Sequence, residues 1–211
     1  MKNIAIIGST GSTGKELVRL ALESNYKVTV IMRSSNSTQS QENLKVVKGD
    51  VTDLESLVIA LENIDFVISC FGPAKHREVG NLMSVGTTNI VKACEKNGVK
   101  RLVFMSGFLQ SEGKEFSILN NLATKLLRLY FNESYKDKII AETAIQNSKL
   151  DWVIVRAVGL TQTQPTGQYK AGIQTKIYPF NALPYGDCAL CLLDAVNETK
   201  WSKQIINLGK K

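Results

Sequence analysis

The chain has 211 residues, 44% of them hydrophobic and 21% charged, a composition that fits one ordinary globular domain and excludes a disordered or fibrous protein. No apolar stretch approaches the ~20 residues that span a bilayer, and the first apolar run predicts a strand rather than a signal peptide, so we expect a cytoplasmic protein without a membrane partner. The formal net charge is +7, but the 26 Lys and Arg residues are scattered and form no nucleic-acid-binding motif, so we expect an anionic small molecule rather than a nucleic acid as the partner.

The first elements in the chain are a strand, a glycine-rich turn and a helix. The apolar run Asn3–Ile7 predicts the strand, and GSTGSTGKELV (Gly8–Val18) leads straight into a helical pattern, with glycines at 8, 11 and 14. Such a turn lets the backbone approach a pyrophosphate, and the helix N-terminus offers free N–H groups at the positive end of its dipole. The turn therefore predicts dinucleotide binding, with the spacing typical of extended and atypical short-chain reductases. The alternative is a plain loop.

The second strand indicates which dinucleotide would bind. The run Lys27–Met32 predicts this strand, and it ends in Arg33-Ser34-Ser35 with no acidic residue before Glu42. A carboxylate at this point would bind the ribose hydroxyls and select NAD, whereas a guanidinium suits a 2′-phosphate. We therefore expect NADPH (NADP) as the cofactor. The alternative is an exposed arginine in a polar loop.

The third strand is predicted over Val46–Asp53, with Asp50 and Val51 at its end. In this fold the carboxylate and the following amide reach the adenine edge. The alternative role is a helix cap, because Thr52 or Asp53 precedes a helix that starts at Leu54. Both roles are compatible.

Strands and helices alternate through the rest of the chain. The pattern predicts further strands over Asp65–Gly72, Arg101–Gly107, Trp152–Ala157 and Lys203–Leu208, and helices near Leu54–Glu62, Asn81–Lys96, Ser134–Ser148 and Tyr185–Val196. Continuous apolar strands with crossover helices predict an α/β fold, a Rossmann-type doubly wound parallel sheet in a three-layer α/β/α single domain over 1–211. Its ligand belongs at the carboxyl ends of the strands. The segments that meet there are Gly8–Gly14, Arg33–Ser35, Cys70–Gly72, Ser106–Phe108 and Ala157–Leu160.

The four cysteines do not predict a metal site. Cys188 and Cys191 form a C-x-x-C pair within a helical pattern, without a second pair, and the one histidine, His76, is distant in sequence. We expect no metal and interpret the pair as two buried small side chains on one helix face.

The candidate catalytic residues lie after the fifth strand and on the next long helix. Ser106 ends that strand, where a hydroxyl would face the nicotinamide in the short-chain reductase plan. The usual partner is a tyrosine four residues before a lysine, but here Tyr135 lies three residues before Lys138. The two share a helix face, so Tyr135 stays a candidate for proton transfer. An acceptor that is itself an electron sink, such as a flavin or a linear tetrapyrrole, needs such a relay much less.

The chain resembles the biliverdin-IXβ reductase/flavin reductase group of the NAD(P)H-binding, NmrA-like atypical short-chain reductases. The resemblance covers nearly the full length. It is carried by GSTGSTG, VTVIMRSS, GDVTD, VISCFG, GTTNIVKACEKNGVKRLVFMSGFL, SKLDWVIVRAVGL and QPTGQY.

The resemblance implies a role for each part of the predicted site. The glycine turn would hold the pyrophosphate, Arg33 and Ser35 the 2′-phosphate, and Asp50 with Val51 the adenine. Ser106 and Lys138 would lie by the nicotinamide. The segment Ala157–Leu160 lacks the proline that members usually carry there. The implied cofactor-binding residues are Gly8, Thr10, Gly11, Ser12, Thr13, Gly14, Arg33, Ser34, Ser35, Asp50, Val51, Cys70, Phe71, Gly72, Met105, Ser106, Lys138, Ala157, Val158, Gly159 and Leu160.

The substrate pocket is expected within about 108–133 and 158–185. Phe116, Leu122, Leu126 and Leu127 are spaced as on one helix, and we expect them to be core contacts. We expect a reductase that transfers hydride to FMN, riboflavin or a biliverdin-like tetrapyrrole as the small-molecule acceptor, as a monomer or weak homodimer. The alternative is a non-catalytic NADP-binding sensor of the NmrA-like kind. A sugar-nucleotide epimerase is disfavoured by the short part after the sixth strand.

Overall fold

The computed structural model of the chain describes residues 1–34, 42–73, 80–111, 113, 116 and 118–211. The strands are β1 (Asn3–Ile7), β2 (Lys27–Met32), β3 (Leu44–Lys48), β4 (Phe66–Ser69), β5 (Arg101–Gly107), β6 (Trp152–Ala157), β7 (Leu160–Thr161), β8 (Lys170–Gly172), β9 (Leu183–Pro184) and β10 (Gln204–Gly209). The α-helices are α1 (Ser12–Glu23), α2 (Leu54–Ala60), α3 (Leu82–Lys96), α4 (Ile118–Tyr130), α5 (Asn132–Gln146) and α6 (Tyr185–Asp194), and short 3₁₀ turns cover Phe108–Gln110 and Thr199–Trp201.

The main sheet has the order β3-β2-β1-β4-β5-β6-β10-β8. All neighbours are parallel except β8, which pairs antiparallel with β10 at one edge. The strand order reverses between β1 and β4, which is the switch point where doubly wound sheets bind ligands. The predicted Rossmann-type α/β fold is therefore confirmed, and the antiparallel edge strand is an addition to it.

Apolar side chains on both faces of the sheet create two cores. In β1, Ile4 and Ile6 face α1 and α6, whereas Ala5 and Ile7 face α2, α3 and α5. All four are at most 2% exposed, as expected for a parallel strand that is covered on both sides. The result is the predicted three-layer arrangement, with the strand ends left as the place for a site.

The third strand ends earlier than predicted. β3 spans Leu44–Lys48, so Asp50 and Val51 lie in the turn after it rather than in the strand. One carboxylate oxygen of Asp50 accepts hydrogen bonds from the Thr52 N–H (2.9 Å) and hydroxyl (2.8 Å), and this local turn replaces further strand pairing. Asp53 caps α2 as expected, accepting from the N–H groups of residues 55 and 56.

Arg101 connects several elements at the amino-terminal ends of the strands, the end of the sheet away from the predicted site. It is 6% exposed, and its Nε lies 2.7 Å from Asp151 at the start of β6. Its Nη1 donates to the carbonyls of Ala195, Val196 and Glu198 after α6. The guanidinium therefore joins two strands and a helix end far from the predicted site.

The prediction that Leu122 and Leu126 are core contacts is wrong. They are 59% and 61% exposed on α4. The side of α4 that faces the domain carries instead the fully buried Thr124 and the partly buried Arg128, because Arg128 bonds to the 3₁₀ turn after β5. By contrast, Cys188 and Cys191 are fully buried in α6, which confirms their predicted place. His76 lies outside the described residues.

Candidate dinucleotide site

The glycine turn after β1 contains glycines that the fold itself requires. Gly8 has a φ of +92°, and a Cβ there would lie 2.6 Å from the Phe71 nitrogen. A Cβ on Gly14 would lie 2.1 Å from the Gly8 carbonyl oxygen, so no side chain fits where α1 crosses the turn. These two glycines let the helix start directly against the end of the strand.

Gly11 differs from its two neighbours in the motif. A Cβ at this position would meet nothing closer than the Gly8 oxygen at 3.5 Å, and its backbone is extended. Gly11 is exposed and lines a cleft of about 900 Å³. The protein does not need glycine here for its own packing, so an absent side chain matters for what enters the cleft.

The N-terminus of α1 lies beside this cleft, and its first N–H groups are not bonded by a capping side chain among the described residues. The first turn of α1, all of it described, also holds no acidic residue. Thr10 and Ser12 are exposed beside it, whereas Thr13 is 5% exposed and belongs to the packed side. The N–H groups and the positive end of the dipole are thus available to an anion.

The far end of the cleft is lined by the residues after β2 and β3. Arg33, Ser34, Asp50 and Val51 all lie there, as predicted, whereas Ser35 falls outside the described residues. The Thr52 N–H and hydroxyl hold the pKa of the Asp50 carboxyl below its usual range against desolvation, and the Arg33 guanidinium adds to this. An ionised carboxylate beside the exposed Arg33 guanidinium makes this end polar and charged.

Lys48 was not predicted and belongs to the same end. It is exposed on the last residue of β3, paired in register with Met32, the residue before Arg33. Together with Arg33 it lines a smaller cavity of about 270 Å³ that adjoins the cleft. The sequence could have indicated Lys48, because the carboxyl ends of neighbouring parallel strands lie side by side. The prediction instead placed the end of this strand at Asp50 and Val51, two residues later.

The wall that adjoins the glycine turn comes from the segment after β4 and from α3. Cys70, Phe71 and Gly72 line the cleft, and burial raises the pKa of the Cys70 thiol to about 12, so this cysteine is neutral. Gly86 of α3 lies where a Cβ would approach both Phe71 and Val51 to 3.0 Å. The missing side chain on α3 therefore allows these two apolar residues to form one wall.

The residues predicted to lie by the nicotinamide are outside the large cleft. The cleft of about 900 Å³ is lined by the ends of β1 and β2, by the segments after β1, β2, β3 and β4, and by Leu82, and Ser106 is not among the residues that line it. Ser106 is 5% exposed, and its hydroxyl has no hydrogen-bond partner among the described residues. The side chain of Met105 points to the α6 layer, where its sulfur lies 3.9 Å from the Cys188 sulfur.

A buried charged cluster lies next to Ser106. Ser106 is in register with Arg156 of β6, whose Nη2 lies 2.6 Å from the Glu142 carboxylate on α5. Lys138 is one helical turn before Glu142, and desolvation lowers the pKa of its ammonium against the raising effect of Glu142 and Asp137. Lys138 therefore shares a helix face with Glu142, whose ion pair with Arg156 connects α5 to the strand beside Ser106.

The Tyr135 ring, on the first turns of α5, packs against the Arg128 side chain. The Arg128 guanidinium lies over its ring, 5.3 Å from the centroid. The same guanidinium donates to the carbonyls of Leu109 (2.8 Å) and Ser111. Tyr135 therefore belongs to the contact between α4, α5 and the 3₁₀ turn.

Aromatic rings gather beside the carboxyl ends of β5 and β6. The rings of Phe116 and Phe180 each meet Phe108 edge to face, at 6.4 Å and 6.3 Å between centroids. Phe108 follows β5 directly, and Phe180 follows Pro179, whose carbonyl accepts from the Gly159 N–H. This aromatic group comes from three separate segments, and no periodicity in the sequence indicates it.

The segment after β6 is fixed by backbone bonds. Ala157 and Val158 are each 3% exposed, and the Val158 N–H donates to the Leu208 carbonyl. Leu160 starts β7, which pairs with β9 in a small second sheet. The predicted residues 157–160 therefore lie next to the aromatic group rather than in the large cleft.

In the part of the chain that the structure describes, no helix is both long and apolar enough to cross a membrane. A family model described as NAD(P)H-binding matches residues 8–199. An uncharacterized chloroplastic protein of Arabidopsis thaliana is 31% identical over 181 residues, which are 79% of this chain and 62% of that protein. Photosystem II assembly factor Ycf39 of Synechocystis is 28% identical over 171 residues, 79% of this chain and 47% of that protein. The chain thus spans less than two thirds of the length of these relatives.

Solved structures share the fold over the whole chain. ChuY of Escherichia coli O157:H7, described as an anaerobilin reductase, has a TM-score of 0.81 at 20% identity, covering 99% of this chain and 97% of that one. A Streptococcus pneumoniae protein assigned as an NADH-flavin reductase has a TM-score of 0.80 at 22% identity, covering 100% of both chains. At this level of identity the likeness shows the architecture.

Proposed function

Because the chain belongs to the NAD(P)H-binding family, we propose that it is an NADPH-dependent reductase that passes hydride to a flat, conjugated acceptor. Free flavins (FMN or riboflavin) and biliverdin-like tetrapyrroles are the acceptor class. The structural neighbours described as anaerobilin and NADH-flavin reductases agree with this class.

The cofactor end of the proposal depends on the large cleft. Its volume of about 900 Å³ falls in the ~300–1,000 Å³ range of small-molecule sites. The open positions at Gly11 and Gly72, where no neighbouring backbone requires glycine, leave room for a pyrophosphate beside the start of α1. Arg33 and Lys48 supply two cations at the other end, which suits a 2′-phosphate.

The acceptor end of the proposal depends on the aromatic group. Phe108, Phe116 and Phe180 offer apolar ring faces and edges next to Ser106 and Gly159, and Phe180 is 58% exposed. Conjugated ring systems stack on such residues. This aromatic group, brought together from three segments, is the observation that carries the proposed acceptor class.

The reaction demands little acid–base chemistry from the chain. When bound, NADPH supplies the hydride, and the acceptor stores the charge in its conjugated system. Ser106 and Lys138 orient the acceptor, the lysine as a cation near a developing negative charge. The reaction proposed does not require proton transfer by Tyr135, whose ring packs against Arg128.

The direct test measures NADPH oxidation by the purified protein with and without FMN or riboflavin. We expect flavin-dependent turnover that is faster with NADPH than with NADH. Phe180→Ala should lower kcat/KM for flavin about tenfold and leave NADPH binding unchanged, because stacking on one ring contributes ~1–3 kcal/mol. Phe180→Leu serves as the control for lost apolar area. Tight NADPH binding without turnover on flavins or biliverdin would refute the reductase.

One observation favours the alternative, a non-catalytic NADP-binding sensor. The Ser106 hydroxyl is buried, and the large cleft ends before it. A relative is also a photosystem II assembly factor by name rather than an enzyme. For a sensor, NADP and NADPH would change the protein's binding to a partner or its protease sensitivity to different extents, without turnover.

A further inference from the structure

Helix α4 has most of its large apolar side chains on the solvent side, although Leu127 is partly buried. Leu119, Leu122, Leu126 and Leu129 are 75%, 59%, 61% and 75% exposed. The side toward the domain carries Thr124, Asn121 and Arg128 instead. A surface helix normally has the reverse arrangement, with the apolar stripe against the core.

The four leucines have the spacing of a helix–helix seam. They lie at intervals of three, four and three residues, which are the a and d positions of two successive heptads. The residues at the b, c and f positions, among them Asn121, Thr124 and Arg128, all face the protein's own domain. A leucine seam of this kind packs its side chains into the spaces of a facing helix.

We propose that this seam is a homodimer interface in which α4 packs antiparallel against α4 of a second copy. The leucine spacing is symmetric about position 124, so a twofold axis there places Leu119 against the partner's Leu129 and Leu122 against the partner's Leu126. A twofold interface requires such self-complementarity, since the same patch serves both copies. This inference concerns a different surface from the cofactor cleft and does not depend on the proposed activity.

The area available predicts a weak dimer. The exposed parts of the four leucines and of Ile118, which is 93% exposed, give on the order of 600 Å² of apolar surface per copy, below the ~800 Å² per partner of a standard interface. Lys125 borders the seam one residue from the axis, so the two copies place like charges on the same rim. Salt screens such repulsion, and we therefore expect association to strengthen as ionic strength rises.

The test is sedimentation velocity over a roughly hundredfold range of protein concentration at low and high salt. We expect a reversible dimer, tighter at high salt, that Leu122→Glu weakens at least about a hundredfold. Lys125→Gln should tighten the dimer at low salt and abolish the salt effect. Ile173→Glu, at another apolar residue that is 50% exposed, is the matched control and should leave association unchanged. Circular dichroism of each variant verifies the fold.

Cross-linking tests the antiparallel register. With the axis at position 124, the two copies of residue 119 lie ~15 Å apart along the helices, too far for a disulfide. A mixture of Leu122→Cys and Leu126→Cys proteins should therefore cross-link, and Leu119→Cys alone should not. Cross-linking of Leu119→Cys to itself would show parallel packing and overturn the proposed geometry.

Two outcomes overturn the dimer itself. The first is a monomer at every concentration and salt. The second is a monomer that sediments with vesicles of anionic phospholipid, more weakly as salt rises, and loses this binding in Leu122→Glu. Because none of these measurements uses a cofactor or turnover, their failure and that of the reductase assay are distinguishable.

Discussion

Replacing Arg33 by alanine tests the assignment of the 2′-phosphate end. Arg33 is exposed at the end of β2 and lines both the large cleft and the smaller cavity shared with Lys48. We expect Arg33→Ala to weaken NADPH binding much more than NADH binding, because only NADPH carries the phosphate that a guanidinium would bind.

The size of the effect follows from the groups at this end. A hydrogen bond to a charged group contributes ~1.5–3 kcal/mol, which corresponds to about 10- to 150-fold in Kd. The neighbouring Asp50 carboxylate stays ionised without Arg33, because the Thr52 N–H is the largest cause of its lowered pKa. Its charge then repels the phosphate, so the loss for NADPH should lie at the upper end of this range. NADH binding should change less than about threefold.

The assay is calorimetric titration of both cofactors into the wild type and Arg33→Ala. Lys45→Ala is the matched control, because Lys45 is an exposed cation on the neighbouring strand β3 and is not among the residues that line either cavity. Lys48→Ala should show a smaller loss that is also specific for NADPH. Equal losses of affinity for NADPH and NADH in Arg33→Ala would refute the reasoning, since the guanidinium would then bind a chemical group that both cofactors carry.

Three further predictions follow from other parts of the molecule. Arg101→Leu should lower the free energy of unfolding by about 3–5 kcal/mol in urea, since it removes the ion pair with Asp151 and the hydrogen bonds to three carbonyls, while cofactor affinity stays unchanged because the cleft lies at the other end of the strands; a loss below about 1 kcal/mol contradicts this. If Lys138 orients the acceptor as a cation, kcat/KM for flavin should fall as pH rises through its lowered pKa, below that of an ordinary lysine; Lys138→Met should remove this limb, and an unchanged limb in that variant would exclude the role. Cys70, with a pKa of about 12, should react with iodoacetamide at pH 8 roughly a thousandfold more slowly than a free cysteine, as followed by mass spectrometry; rapid labelling would show an ionised thiol.

Most of the sheet could be predicted because its strands are uninterrupted apolar runs. The bounds of β1, β2, β5 and β6 match the structure residue for residue. The end of β3 could not be placed, because it depends on side-chain bonds of Asp50 rather than on hydrophobicity. The short β7, β8 and β9 have too few residues for a pattern, and their pairing partners are distant in sequence.

Sequence periodicity indicated that residues of α4 share a face but not where that face points. Periodicity predicts that Leu122 and Leu126 face the core. In the structure Arg128 bonds to the 3₁₀ turn after β5, and this orients α4 with the two leucines toward solvent. For the site, the glycine turn is local and was accessible from the sequence. The aromatic group around Phe108 depends on tertiary packing and could not be predicted from the sequence. Helical spacing indicated only that Phe116 is a core contact.

The glycine motif consists of two kinds of glycine, which matters for anyone who uses mutants of this chain in cells. At Gly8 and Gly14 a side chain collides with the protein's own backbone, so a null phenotype there reports a lost protein. At Gly11 the backbone tolerates a side chain, so if the cleft binds the cofactor as proposed, the same phenotype reports a folded protein without its cofactor. Gly11 alone among the three therefore separates the absence of the molecule from the absence of its cofactor.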